Sequence, residues 1–165
     1  MKIRRIALSA ALAILTVTPF VRADQAADEK ALKARADEFV AAWDKDDAKG
    51  LAAIFAPDGD LINPFGRVVR GRAEVEKLFA EEHATFSKGT HYEIRSLQTR
   101  LLGADAAVQD WDVDLTGMKG PDGGAMPPLK HHVTVVYAKK GGQWWAVAAR
   151  PAVPVPPPGA PMPMK

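Results

Sequence analysis

Four polar residues stand where this chain could do chemistry: Asp58, Asp60 and Asn63 in the stretch 56–73, read APDGDLINPFGRVVRGRA, and His83 downstream. Asp58 and Asp60 flank Gly59. A carboxylate pushed into an apolar pocket has its pKa raised and can serve as a general base near neutral pH. Alternatively, Asp58 caps the turn and Asp60 faces water, since turn chemistry alone accounts for both. Asn63 follows the apolar pair Leu61-Ile62, so its amide is available to the turn backbone or to a ligand. His83 falls four residues after Phe79 and eight after Val75, spacings that keep it on the inner face of a helix. Asp60, Asn63 and His83 are therefore expected to approach one pocket. Asp60 or His83 would be the acid or base there, and Asn63 or a tyrosine would stabilise a developing oxyanion. Burial would lower the His83 pKa unless Asp60 pairs with it, which would raise it. In the plainer alternative His83 satisfies a backbone carbonyl and Asp60 meets solvent.

Further candidates come from strand alternation. Ala107, Gln109, Trp111, Val113 and Leu115 share one side of a strand, and Val108, Asp110, Asp112 and Asp114 the other. Three alternating aspartates cannot all be buried and ionised, so their side is the solvated one and Trp111 points inward as a ligand contact. His131, Val133, Val135 and Tyr137 oppose His132, Thr134, Val136 and Ala138. One histidine faces in and the other out; His132 is assigned to the ligand. Arg150 ends the last strand on the side of Trp144, Ala146 and Ala148, where it would bind an anionic group or form a surface ion pair. A metal site would need His83, His91 and one of His131 or His132 to converge with a carboxylate. Nothing has ligand-type spacing, so no metal is expected. There is also no nucleophile elbow, phosphate loop or dinucleotide fingerprint, and no cofactor is expected.

These residues must be positioned by secondary structure. Leu32, Ala36, Phe39, Val40 and Trp43 predict one helical face over Asp28 to Trp43. Asp46 or Asp47 can cap a short second helix through Phe55. Leu61-Ile62, the turn Asn63-Pro64-Phe65-Gly66 and Arg67 to Arg70 predict a hairpin, and a third helix runs from Arg72 to Thr85. Four longer strands follow over Thr90 to Leu102, Ala104 to Met118, Leu129 to Lys140 and Gln143 to Arg150. Trp43, Phe55, Phe79, Trp111, Val135 and Val147 are expected in one core. Helices gathered in the N-terminal half and strands joined by hairpins imply an α+β layer with an antiparallel sheet. A strongly bent sheet with helices over its concave face leaves a pocket at its open end.

The 165 residues suit one domain, 24–151, between a leader and a tail. Lys2, Arg4 and Arg5, the apolar run Ile6 to Val17 and the small residues before Ala23 predict a signal peptide over 1–23. The run is too short for a stable membrane span. A secreted or periplasmic protein follows. Of 22 basic residues, Lys2, Arg4, Arg5 and Arg22 lie in the leader, leaving 18 against 20 acidic ones. No basic run that could track phosphates remains, so nucleic acid is not an expected partner. The chain has no cysteine, which excludes thiol catalysis and cysteine metal sites. Residues 152–165 are expected to be a disordered Pro-rich tail; from Pro151 onward seven prolines should prevent a sheet ladder.

Phe55 to Gly66, Arg70-Gly71-Arg72, His83-Ala84-Thr85 and Gly142 to Ala149 carry a resemblance over about Glu29 to Pro151. In them the chain resembles the nuclear transport factor 2-like superfamily, its SnoaL-like branch, and within that the SgcJ/EcaC group. The resemblance implies a cone-shaped α+β barrel around a cavity, dimeric through the sheet. It matches the family's Asp-x-Asp and Asn turn to Asp58, Asp60 and Asn63, and its end-of-helix histidine to His83. Where relatives place His or Asn after the last strand, this chain has Arg150. Cofactor-free isomerisation, cyclisation or dehydration of a small apolar carbonyl compound is the enzymatic expectation. A non-catalytic binding or interaction module of the cell envelope is the alternative.

Overall fold

A computed structural model of the chain describes residues 19–120 and 122–155. Most of the expected leader, and the expected tail from residue 156 on, lie outside the described residues. No helix among the described residues is long and apolar enough to cross a membrane.

Helix α1, Pro19–Trp43, starts ahead of the expected Asp28 and buries Leu32, Ala36, Phe39 and Trp43. It stops where Asp46 takes a left-handed φ of 52°, which breaks the helical ladder. Asp47 then caps α2, Ala48–Ala53, its carboxylate accepting from the Gly50 amide at 2.9 Å. The expected helix through Phe55 ends short, because Phe55 opens strand β1, Phe55–Ile62. Pro57-Asp58-Gly59 does not delay this strand; it sits within a register shift against β6. At Gly59 a Cβ would come within 2.8 Å of the Ala146 carbonyl, so only glycine allows that approach.

The turn over 63–66 closes with the Gly66 amide donating to the Asn63 carbonyl at 2.9 Å, and Gly66 takes the positive φ of 83° that a side chain would strain. Strand β2, Val68–Arg70, pairs antiparallel with β1, and α3, Arg72–His83, follows at once. Strands β3, His91–Leu101, β4, Ala106–Thr116, β5, Leu129–Lys140, and β6, Gln143–Ala152, complete a sheet of order β2-β1-β6-β5-β4-β3. Among the described residues only the β1–β6 pair is parallel. The architecture is the expected α+β one: three helices and a six-stranded, mostly antiparallel sheet among the described residues.

Two expectations fail in β6. It does not stop at Arg150: Pro151 stands opposite Val133 and Ala152 opposite His132. Proline is tolerated there because β1 ends its pairing at Ala149, so one edge of β6 is free of a ladder. The register also shifts between Val136 and Tyr137, which stand opposite Ala148 and Ala146, so Val147 is an extra, bulged residue. Alternation changes side at that point. Trp144, Ala146 and Ala149 are buried, while Val147 is only half-buried and leaves the core in which it was expected. Trp43, Phe55, Phe79, Trp111 and Val135 do share that core, with Phe39 edge-on to Phe79, Tyr92 and Trp111 at 5.9, 5.2 and 5.6 Å.

Candidate functional site

The concave face of the sheet and the helices enclose a cavity of about 70 Å³. Its walls are Phe39, Trp43, Phe55, Phe79, Trp111 and Val135, among other apolar groups, and Phe65 and Phe86 also line it. Those two rings meet edge-on at 5.5 Å although Phe65 is 68% and Phe86 42% exposed, so they mark the mouth. A cavity that holds benzene measures about 150 Å³. A bound ring must therefore use the mouth as well as the enclosed part.

Two polar poles interrupt these walls. The first is built by the turn and α3. Asn63 Oδ1 accepts from the Phe65 and Arg67 amides at 3.1 and 2.8 Å, and its Nδ2 donates to Glu82 Oε1 at 3.0 Å. Thus Asn63 does bond the turn backbone, and it also lines the cavity. Glu82 lies on the buried face of α3, and burial pushes its pKa up against the opposing hydrogen bond from Asn63. The second pole is built across β3 and β5. His131 Nδ1 lies 3.4 Å from the Leu129 carbonyl and Nε2 lies 3.3 Å from the Tyr92 hydroxyl. A carbonyl only accepts, which assigns the hydrogen to Nδ1 and makes Nε2 the acceptor for Tyr92. Burial lowers the His131 pKa and raises that of Tyr92, so both are neutral near pH 7.

The expected Asp60–His83 pair is not formed. Asp60 faces the outer side, 2.5 Å from Arg150 Nη1 in an ion pair without hydrogen-bond angles. Arg150 reaches it because the Val147 bulge turns Arg150 away from the side of Trp144 and Ala146. His83 is buried edge-on against Trp43 at 4.9 Å, and neither ring nitrogen has a hydrogen-bond partner. Burial lowers its pKa, opposed by the Asp46 charge and by a weak backbone contact with Asp46, which is nearer the plainer alternative of a histidine set against a backbone group. Neither Asp60 nor His83 lines the cavity. His132 is also outside, because the residue opposite it, Asp112, lies on the solvated face; its Nδ1 meets Asp112 Oδ1 at 2.9 Å. Trp111 is in the wall, its indole N–H donating to Gln109 Oε1 at 3.1 Å. Asp114 departs from the solvated reading: it is buried between Lys130 and Arg95 at 3.1 and 3.2 Å. No cluster of three metal-ligating side chains occurs among the described residues.

The groups that were missed were signalled. Glu82 is three residues after Phe79 and seven after Val75, as inner a position as that of His83. His131 stands opposite Val113 and Tyr92 opposite Leu115, both on the Trp111 side. Alternation read across paired strands selects His131 over His132.

The model of the SnoaL-like domain matches residues 36–147. The chain belongs to the SnoaL-like domain family. Solved structures share its fold. A protein of unknown function from Pseudomonas putida, described as NTF2-like, matches this SnoaL-like domain with a TM-score of 0.70 at 19% identity, over 85% of this chain and 97% of that one. A protein with a cystatin-like fold from Caulobacter vibrioides matches with a TM-score of 0.70 at 23% identity, over 78% and 90%. A candidate scytalone dehydratase from Novosphingobium aromaticivorans matches with a TM-score of 0.69 at 17% identity, over 81% and 89%. No curated protein sequence matches the chain.

Proposed function

We propose that this SnoaL-like domain is an exported protein, of the SgcJ/EcaC group, that binds a small, largely apolar carbonyl compound and moves a proton on it without a cofactor. Isomerisation, cyclisation and dehydration are reactions of that type. One observation carries the reading: a single apolar cavity holds both Tyr92–His131 and Asn63–Glu82. A proton taken from substrate carbon by Tyr92 Oη is matched by the phenol proton passing to His131 Nε2. This leaves a neutral phenol and an imidazolium. Glu82, kept protonated to higher pH by burial, supplies a proton nearer the mouth. Asp60 and His83, the acid and base suggested by sequence, have no place in this scheme because they do not line the cavity. The dehydratase relative shares the fold, and its chemistry is an analogy.

The test uses cyclopentanone, a small enolisable ring. In D₂O its α-hydrogens should exchange faster with the protein than in buffer, followed by NMR. Tyr92→Phe and His131→Gln should each slow the protein-dependent exchange about 10²-fold or more. Binding without exchange, or exchange untouched by both variants, would overturn the catalytic reading in favour of a binding module.

A further inference from the structure

The polar atoms around the cavity are nearly all engaged. Trp111 Nε1 donates to Gln109, Trp43 Nε1 to Thr90 at 3.0 Å, Asn63 makes three hydrogen bonds, and Tyr92 and His131 face each other. Tyr137 is the exception. Its ring lines the cavity, the residue is 1% exposed, and among the described residues its hydroxyl is the only cavity-lining buried side-chain polar atom without a hydrogen-bond partner. Leaving a buried hydroxyl unbonded is costly, so its retention calls for a partner.

The charge of the cavity narrows what that partner is. No lysine or arginine is among the described lining residues, and the one acid, Glu82, is held toward its neutral form. Arg150, the cation expected here, is paired with Asp60 on the outer side. Arg35 acts on the Tyr137 hydroxyl from outside the lining, but Glu38 opposes it and pairs with it at 2.7 Å, so a carboxylate or phosphate in this cavity would be buried without a free counter-ion, which is costly. Burial also keeps Tyr137 un-ionised, so it offers an O–H.

We propose that the Tyr137 hydroxyl anchors the acceptor oxygen of the ligand, and that the cavity selects neutral carbonyl compounds and rejects carboxylates. This rests on the ligand class given under Proposed function and adds the residue that enforces it. The carbonyl oxygen receives the Tyr137 proton in a hydrogen bond. That bond polarises the C=O toward enol formation while Tyr92–His131 handles the α-hydrogen. Tyr137 thus sets both orientation and specificity.

The experiment compares full-length wild type with Tyr137→Phe, which removes only an unpartnered hydroxyl and should fold. Cyclopentanone, methylcyclopentane and cyclopentanecarboxylate are the probes, followed by NMR titration and by the infrared C=O stretch of bound cyclopentanone. Wild type should bind the ketone, lower its stretch below the value in hexane, and show no binding of the carboxylate. Tyr137→Phe should weaken the ketone about three- to tenfold, the equivalent of one neutral hydrogen bond. It should return the stretch toward the hexane value and leave methylcyclopentane unchanged. An unshifted stretch in wild type, equal loss of ketone and hydrocarbon, or carboxylate binding as tight as that of the ketone would overturn the proposal. A shifted stretch without α-hydrogen exchange would keep the anchor and remove the catalytic reading, so the two fail separately.

Discussion

His83 shows how a residue with the right type and spacing can be a packing element. Its ring is buried edge-on against Trp43, with the Asp46 backbone near it but no hydrogen bond of good geometry, an arrangement that costs stability. Its pKa is lowered by burial, so its contribution is fully present above the unfolded value near 6.5 and is lost as pH falls toward the folded value. His131, also lowered, adds a loss of the same sign, whereas Glu82, raised by burial, favours the folded state on the acid side. His83→Leu should therefore be about 1 kcal/mol more stable than wild type at pH 7.5. It should also lose less stability between pH 7.5 and 5.5 in urea titrations. A variant that lost stability at neutral pH, or kept the full acid slope, would show that the ring has a polar role. Helical periodicity placed His83 inward correctly, but it could not tell the cavity from the packing beneath the α1–α2 turn. That distinction depends on where the Trp43 ring at the end of α1 meets Phe79 and His83 of α3, and sequence spacing carries no such information. Glu82 was equally legible by spacing, but a carboxylate is rarely buried unpaired, so spacing alone does not single it out.

At the scale of elements, the turn over 63–66 and α3 act as one unit. Asn63 pins the turn backbone and bonds Glu82, and Arg67 forms an ion pair with Glu81 on the surface of the same helix. The exposed ion pair adds little. The buried amide matters more, because its loss strands two turn amides and a carboxyl oxygen. Asn63→Ala should cost about 2 kcal/mol or more in denaturant unfolding, with Glu82 titrating still higher because its one favourable hydrogen bond is gone. An unchanged denaturation midpoint would refute this role. The hairpin was legible from Asn63-Pro64-Phe65-Gly66, and β5 was read with its observed limits. What could not be read was the continuation of β1 through Pro57-Asp58-Gly59, since a parallel partner 80 or more residues away holds it in line.

For the whole molecule, the sequence carried the α+β class and most of the core. A period of 3.6 followed by a period of 2 is written locally, while the parallel β1–β6 closure is not. We propose export as a processed chain and pairing of two copies through the outer sheet face. That face bears Arg150–Asp60, His132–Asp112 and Arg100–Asp110 pairs. Native mass spectrometry of the exported protein should find chains beginning at Asp24 and assembled as dimers that weaken with salt. Chains retaining Met1, or monomers alone at micromolar concentration, would refute the corresponding half. The bulge at Val147 has a consequence for descent as well as for structure. One extra residue decides whether position 150 belongs to the cavity or to the outer face. A lineage could therefore turn a neutral binding cavity into a cationic one by losing a single codon, with no substitution at all. Two relatives that differ by that one gap in β6 would then line up letter for letter while presenting opposite sides of the strand to their ligands.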